Sequence, residues 1–243
     1  MRTKERHHLK DNELALALGR ANEFAVRNRR GFTITFVGIL VVAVVVAGFF
    51  IWRNSVEAKA VEALAQAMVV HESRVVAPPV GGDPAAVPPQ QAGTFSTEKA
   101  KLEAALPKFL AAADAYPETD AGRTARYHAA ATLVALGRFD EAIQQYDRLS
   151  GAGGLIGPSA RLGKAEAQLR GGQHDAAIAA FKDMSDKAEG NLPKEAMLLE
   201  LARAYKVAGN TDDARKTLNQ IVEQHADSPF ATTAKQELEK IPG

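Results

Sequence analysis

From Phe32 to Trp52 the chain runs 21 residues without a charge, and its only hydroxyls, Thr33 and Thr35, lie in the first turn. At a helical rise of about 1.5 Å per residue this stretch reaches about 31 Å, close to the thickness of bilayer hydrocarbon. It has no polar face, so it does not pattern as the core helix of a globular domain. A cleaved signal sequence carries an apolar region of only about 7–15 residues before a small-x-small site. Ala58-Lys59-Ala60 has that form but follows a run that is too long. Trp52 closes the run where an indole suits the headgroup level. The pattern predicts a transmembrane helix over 31–52.

Helical composition continues over 53–76, with Val61, Leu64, Ala65 and Met68 at the i, i+3, i+4, i+7 spacing of one apolar face. The period is then lost in "APPVGGDPAAVPPQQAG", Ala77–Gly93, so 77–94 reads as a Pro/Gly-rich loop. Ahead of the span, residues 1–30 hold one short amphipathic helix. Asp11 or Asn12 caps it, and Leu14, Leu18, Ala21 and Ala25 form a stripe that Leu16 and Phe24 broaden. That helix either lies on the membrane or a partner, or simply leads into the span.

Beyond residue 95 the chain is alanine-rich helix punctuated by glycine, and three segments align. They are "YHAAATLVALGRFDEAIQQYDRL", "LGKAEAQLRGGQHDAAIAAFKDM" and "LELARAYKVAGNTDDARKTLNQI". Gly137, Gly172 and Gly209 each sit between two helical patterns, 35 and then 37 residues apart. Five residues later comes an alanine (Ala142, Ala177, Ala214), and four after that a large residue (Tyr146, Phe181, Leu218). Seven before each glycine is another alanine (Ala130, Ala165, Ala202). Glycine permits a tight helix-to-helix turn at positive φ, and alanine permits close approach of the two helices. The pattern resembles the tetratricopeptide repeat, a helix hairpin of about 34 residues. It departs from it at the usual first-helix aromatic, where Arg126, Arg161 and Leu198 stand.

A half-unit precedes these three. Ala105, Phe109, Ala112 and Pro117 fit the second-helix pattern, with Pro107 expected in an early turn or at a kink, and 55–73 supplies the missing first helix. At the far end Asp227 or Ser228 caps a last helix with Pro229 in its first turn and Pro242 at its close. The expected fold is all-α: one transmembrane helix, then a tetratricopeptide-like α-solenoid over 95–243 that ends in a capping helix.

Charge gives the orientation. Residues 1–30 carry eight Lys/Arg against four acids, whereas the whole chain is only +1. The head therefore has four excess bases and the rest three excess acids. Lys and Arg stay cytoplasmic, which places the N-terminus inside and the repeats in a periplasm. The slightly acidic body argues against nucleic-acid binding. With no cysteine, disulfides, thiol nucleophiles and lipidation at cysteine are excluded.

The layout resembles the ancillary subunit family of the bacterial Sec translocon, whose domain is shared with a soluble cell-division coordinator. The resemblance rests on "LKDNELALALGRANEFAVRNRR", one uncleaved span, a helix running on from it, and "AYPETDAGRTARYHAAATLVALGRFDEAIQQY". The proline-rich insertion departs from that family. The resemblance implies a scaffold in the cell inner membrane that engages the Sec translocon, periplasmic chaperones or exported polypeptides. The rival is an envelope or cell-division organising scaffold that uses the same repeats.

No catalytic constellation is present, and no enzyme is expected. His7, His8, His71, His128, His174 and His225 have no zinc-helix spacing, and "SGAGGLIGPS" lacks the Lys-Ser/Thr of a phosphate loop. No cofactor, metal or small-molecule substrate is implied. In the repeat family the groove is lined by first-helix positions. Carried over, these are Tyr127, Ala131 and Val134, then Leu162, Glu166, Leu169 and Arg170, then Leu199, Arg203 and Lys206. They form an apolar and basic face suited to extended peptides. For Leu162, Leu169 and Leu199 the alternative is the hairpin core.

Overall fold

The apolar run lies within one long helix, α1, Arg29–His71. The computed structural model describes residues 29–76, 93–187 and 192–241. The head helix expected near Asp11–Ala25 and nearly all of the Pro/Gly-rich loop lie outside them. The chain divides between Ser55 and Val56 into two units, which are taken separately. In the first, Phe36, Val41, Phe49, Phe50 and Trp52 are all exposed. An exposed surface of this kind is unfavourable in water and favourable in lipid. The helix is long and apolar enough to cross a membrane.

The second unit begins with the last turns of α1. Ala60 and Ala67 are fully buried there, while Val61 and Ala65 are exposed. The buried face is thus rotated from the one expected, and only Leu64 and Met68 of that set pack inward. Methyl-sized side chains let this helix approach its neighbours closely, and the larger Val61 is left outside. Glu57 accepts a hydrogen bond from the Ala121 amide at 3.3 Å, satisfying one of the N–H groups left open at a helix start.

After His71 the hydroxyl of Ser73 closes on the Val69 carbonyl at 2.8 Å. Two short strands then appear that the sequence did not suggest, β1 (Arg74–Val75) and β2 (Thr94–Phe95), paired in parallel. A parallel pair needs a long connection, and the intervening loop provides it. The pair brings the two ends of that loop together.

The repeats follow as α2 (Glu98–Ala115), α3 (Asp120–Ala135), α4 (Phe139–Asp147), α5 (Ile156–Arg170), α6 (His174–Lys187), α7 (Lys194–Val207), α8 (Thr211–Gln224) and α9 (Pro229–Glu239). Thr97, Thr119 and Ser228 cap α2, α3 and α9 by accepting from Ala100, Gly122 and Phe230 amides. Acid pairs begin α4 (Asp140, Glu141) and α8 (Asp212, Asp213), where the helix dipole favours negative charge. Pro107 lies inside a continuous α2 rather than in its first turn, on an exposed position.

Gly137, Gly172 and Gly209 have φ of 75°, 81° and 80°. Each makes the same C-terminal turn. The glycine N–H reaches back to Val134, Leu169 or Lys206, and the next N–H to Leu133, Gln168 or Tyr205. This is the Schellman motif, and a residue with a side chain would be strained at its centre.

Six alanines at the aligned positions (Ala130, Ala165, Ala202, Ala142, Ala177, Ala214) are at most 1% exposed, and Tyr146, Phe181 and Leu218 are buried beside them. A Cβ on Gly163 would lie 2.6 Å from the Tyr146 ring, so α5 also needs a bare backbone where the large residue of the preceding hairpin packs. From α2 onward each helix packs on the next, α3 also on α5 and α7 on α9. This is a solenoid of helix hairpins.

The three positions that lack an aromatic are filled in two ways. Leu198 is simply buried. Arg126 is only 6% exposed and donates to the Ala113 carbonyl (3.0 Å), Asp114 (2.8 Å) and Gln145 (2.8 Å). Arg161 donates to the Ser150 carbonyl at 2.8 Å. The arginine stem replaces apolar volume while its planar head ties a neighbouring helix end.

Candidate functional site

The predicted groove positions lie on α3, α5 and α7, the first helices of successive hairpins. On α3 the Tyr127 ring meets Tyr146 edge-on at 5.5 Å, and Ala131 and Val134 are half-buried. On α5, Leu162 and Leu169 are half-buried against the core that contains Leu198 and Ala202. Leu199 on α7 is 4% exposed and belongs to that core, so it lines no open groove. For these three leucines the alternative reading describes their packing.

The charges are arranged differently from the expected basic face. Burial first and the nearby Glu200 carboxylate second raise the Glu166 carboxyl above its ordinary range, while Arg170 pulls it down. Burial, with Glu166 adding to it, likewise raises the Tyr127 hydroxyl. Arg170 lies over the Phe139 ring at 5.4 Å. Arg203 bonds Glu200 at 2.7 Å and stands 3.7 Å from Glu237 of α9, which also takes the Lys206 ammonium. The Lys206 hydrogen bond, then the two positive charges, hold the Glu237 carboxyl below its ordinary range. Two of the three cations assigned to the groove, Arg203 and Lys206, are thus engaged by acids of the protein itself. The face is a ladder of tyrosine, carboxylate and compensated charge.

Glu200 and Glu237 were missed from sequence. Glu200 had a signal, its i,i+3 spacing to Arg203. Glu237 had none, because its lysine partner is 31 residues away.

A second cluster joins the last turn of α1 to α2 and α3. His128 stacks on Phe109 at 5.3 Å, and His71 meets Phe109 edge-on at 5.6 Å. The two imidazoles are 6.2 Å apart, and His71 Nδ1 is buried with no hydrogen-bond partner. Burial and then His71 hold the His128 imidazole below its ordinary 6.5, against a weaker pull from Glu72. Among the described residues no group of three or more His, Asp or Glu could hold a metal ion.

A pH dependence follows. The folded chain takes up the His128 proton less readily than the unfolded chain, so this contribution is complete above about 6.5 and is lost as the pH falls through that value. Glu166 acts in the opposite direction, because protonating a raised carboxyl favours the fold. The comparison must therefore be with a His128→Gln variant that retains Glu166. Melting temperature from about pH 7 to about pH 5 is expected to fall more steeply for the wild type than for that variant. Parallel profiles would place the acid sensitivity elsewhere.

Two tetratricopeptide-repeat families match, one over residues 127–191 and one over 168–238. Among solved structures, the nearly identical TPR-like repeats of a Podosopora anserina putative kinesin light chain are similar in fold, in two crystal structures that include a single-site variant. Both align at 17% identity with a TM-score of 0.51, over 59% of this chain and 78% or 79% of theirs. A comparison with curated proteins returns no match. The repeats indicate protein partners.

Proposed function

We propose that this chain, whose tetratricopeptide-like repeats are the part built for binding protein, is a membrane-anchored interaction scaffold ancillary to the Sec translocon. Residues 1–30 form its cytosolic head, 31–52 its span in the inner membrane, and 95–243 its periplasmic repeats. The repeats present Tyr127, Ala131, Val134, Glu166 and Arg170 to exported polypeptides or periplasmic chaperones. The observation that carries this reading is the ladder along α3, α5 and α7. Its half-buried apolar side chains and the exposed Glu166 carboxylate among them suit an extended chain that supplies both apolar side chains and N–H donors. The four excess bases ahead of the apolar run support the orientation. The cell-division scaffold remains the second reading, because the same repeats serve it equally.

Photocrosslinkers placed at Ala131 and Glu166 in intact membranes test the reading. Adducts with translocon subunits, chaperones or exported chains are the expected result. Adducts confined to division proteins would replace it with the second reading. In the same preparation, protease outside the inner membrane should digest everything beyond Trp52 and spare the head. A body that resists until the membrane is broken would reverse the topology.

A further inference from the structure

The first two hairpins of the repeats share a cleft of about 530 Å³ that none of the ladder residues lines. Its walls are the turn between α2 and α3 (Pro117, Glu118), the first turns of α3 (Arg123, Arg126), and the end of α4 with the loop after it (Arg148, Leu149, Gly151). Three guanidinium groups line it against one carboxylate, Glu118. We propose that this cleft is a second protein-binding site, one that takes carboxylate side chains of an acidic peptide segment.

The three arginines are held differently. Arg126 is fixed in place, buried and tied to a carbonyl, an amide oxygen and Asp114. Its guanidinium is a fixed part of the cleft wall, compensated there by Asp114. Arg148 is 60% exposed and reaches Asp114 only at 4.0 Å. Asp114 holds Arg126 at 2.8 Å, and its contact with Arg148 is long and weak by comparison. Arg123 pairs with Asp120 at 2.8 Å, but that carboxylate is 87% exposed. Exposed pairs of this kind contribute little, so an incoming carboxylate can replace water or Asp120 at small cost. What it gains is a forked, charge-assisted hydrogen bond to the planar guanidinium of Arg148 or Arg123. The volume exceeds a single carboxylate and falls in the range of ordinary ligand clefts, which suits more than one acidic side chain of one segment. Gly151 and Gly153 border it, and a Cβ at either would meet nothing within 4 Å, so the loop side of the cleft is open to an entering chain.

The test uses the full chain in neutral detergent with a short fluorescein-labelled peptide of alternating Glu and Ser, and with its Gln-Ser counterpart. Fluorescence anisotropy should show saturable, salt-sensitive binding of the acidic peptide alone. The double change Arg123→Gln and Arg148→Gln should weaken it about tenfold or more while the thermal transition stays in place. A ladder variant, Glu166→Gln, should bind the acidic peptide as the wild type does. This separates the cleft from the face on which the proposed function rests. Equal binding of the Gln-Ser peptide, or full affinity in the double variant, would overturn the proposal. So would binding of vesicles rich in phosphatidylglycerol with none of the peptide, which would make the cleft a lipid-headgroup site.

Discussion

Phe181→Ala is expected to destabilise the repeats by about 3–5 kcal/mol, the largest loss predicted for any single change here. The ring is completely buried in the cluster that contains Ala165, Ala177, Leu198, Ala202 and Leu218. Removing it deletes a large transfer contribution and leaves a cavity that the packed helices close only in part. Each hairpin of a solenoid touches only its neighbours, so the damage should be centred on α5–α8. The opposite error, Ala177→Leu, overpacks the same joint and should cost about 1–3 kcal/mol. Urea unfolding of a fragment starting at Val56 measures both, because Ala60 and Ala67 are core residues and must be included. Wild-type midpoints in either variant would mean that Ala177 and Phe181 are not packed into the core as the structure has them.

Reversing Arg203 and Lys206 together to glutamate is expected to loosen the end of the solenoid. On sequence grounds these are groove cations whose reversal should affect only partner capture, since exposed charges contribute little to stability. The structure changes that expectation. Glu237 is 16% exposed on its side chain and receives both cations, so the variant would surround a largely buried carboxylate with two more. Such a pair lies between surface and buried ion pairs, and a loss of about 1–3 kcal/mol is expected. Restoring charge balance with Glu237→Lys in the reversed background should recover much of it. Hydrogen exchange would find the loss in α9 and the end of α7. A reversed variant with unchanged exchange in α9 would show that Glu237 is indifferent to its partners. Because Glu237 titrates low, the wild-type contact should also weaken as acid protonates it, at pH values below the ordinary carboxylate range.

The departures from the repeat pattern illustrate how far sequence reaches. Arg126, Arg161 and Leu198 stand at one aligned position and look equally anomalous in the sequence. In three dimensions Leu198 joins the core, Arg161 ties a carbonyl of the preceding loop, and Arg126 is buried and helps form a cleft. Similarly, Val61 and Ala65 satisfied the periodicity of an apolar face, yet Ala60 and Ala67 face inward. Periodicity identifies an apolar stripe, but where a helix is apolar on more than one side it does not say which side its neighbour covers. The β1–β2 pair was invisible for a related reason. Two residues on each side of a long loop carry no alternation, and only the meeting of the loop's ends creates the ladder.

What the sequence determined by itself is local. The apolar run, the helix caps at Thr97, Thr119 and Ser228, the left-handed glycines at Gly137, Gly172 and Gly209, and the alanine spacings all follow from interactions within a few residues along the chain. Sterics and hydrogen bonding at that range are written in residue type. The tertiary structure alone decided which charges were already spent, above all the capture of Lys206 and Arg203 by Glu237, the commitment of Asp114 to Arg126, and the withdrawal of Leu199 into the core. Burial and Coulomb energy depend on distance in space, and residues a whole repeat apart become neighbours only when the hairpins stack.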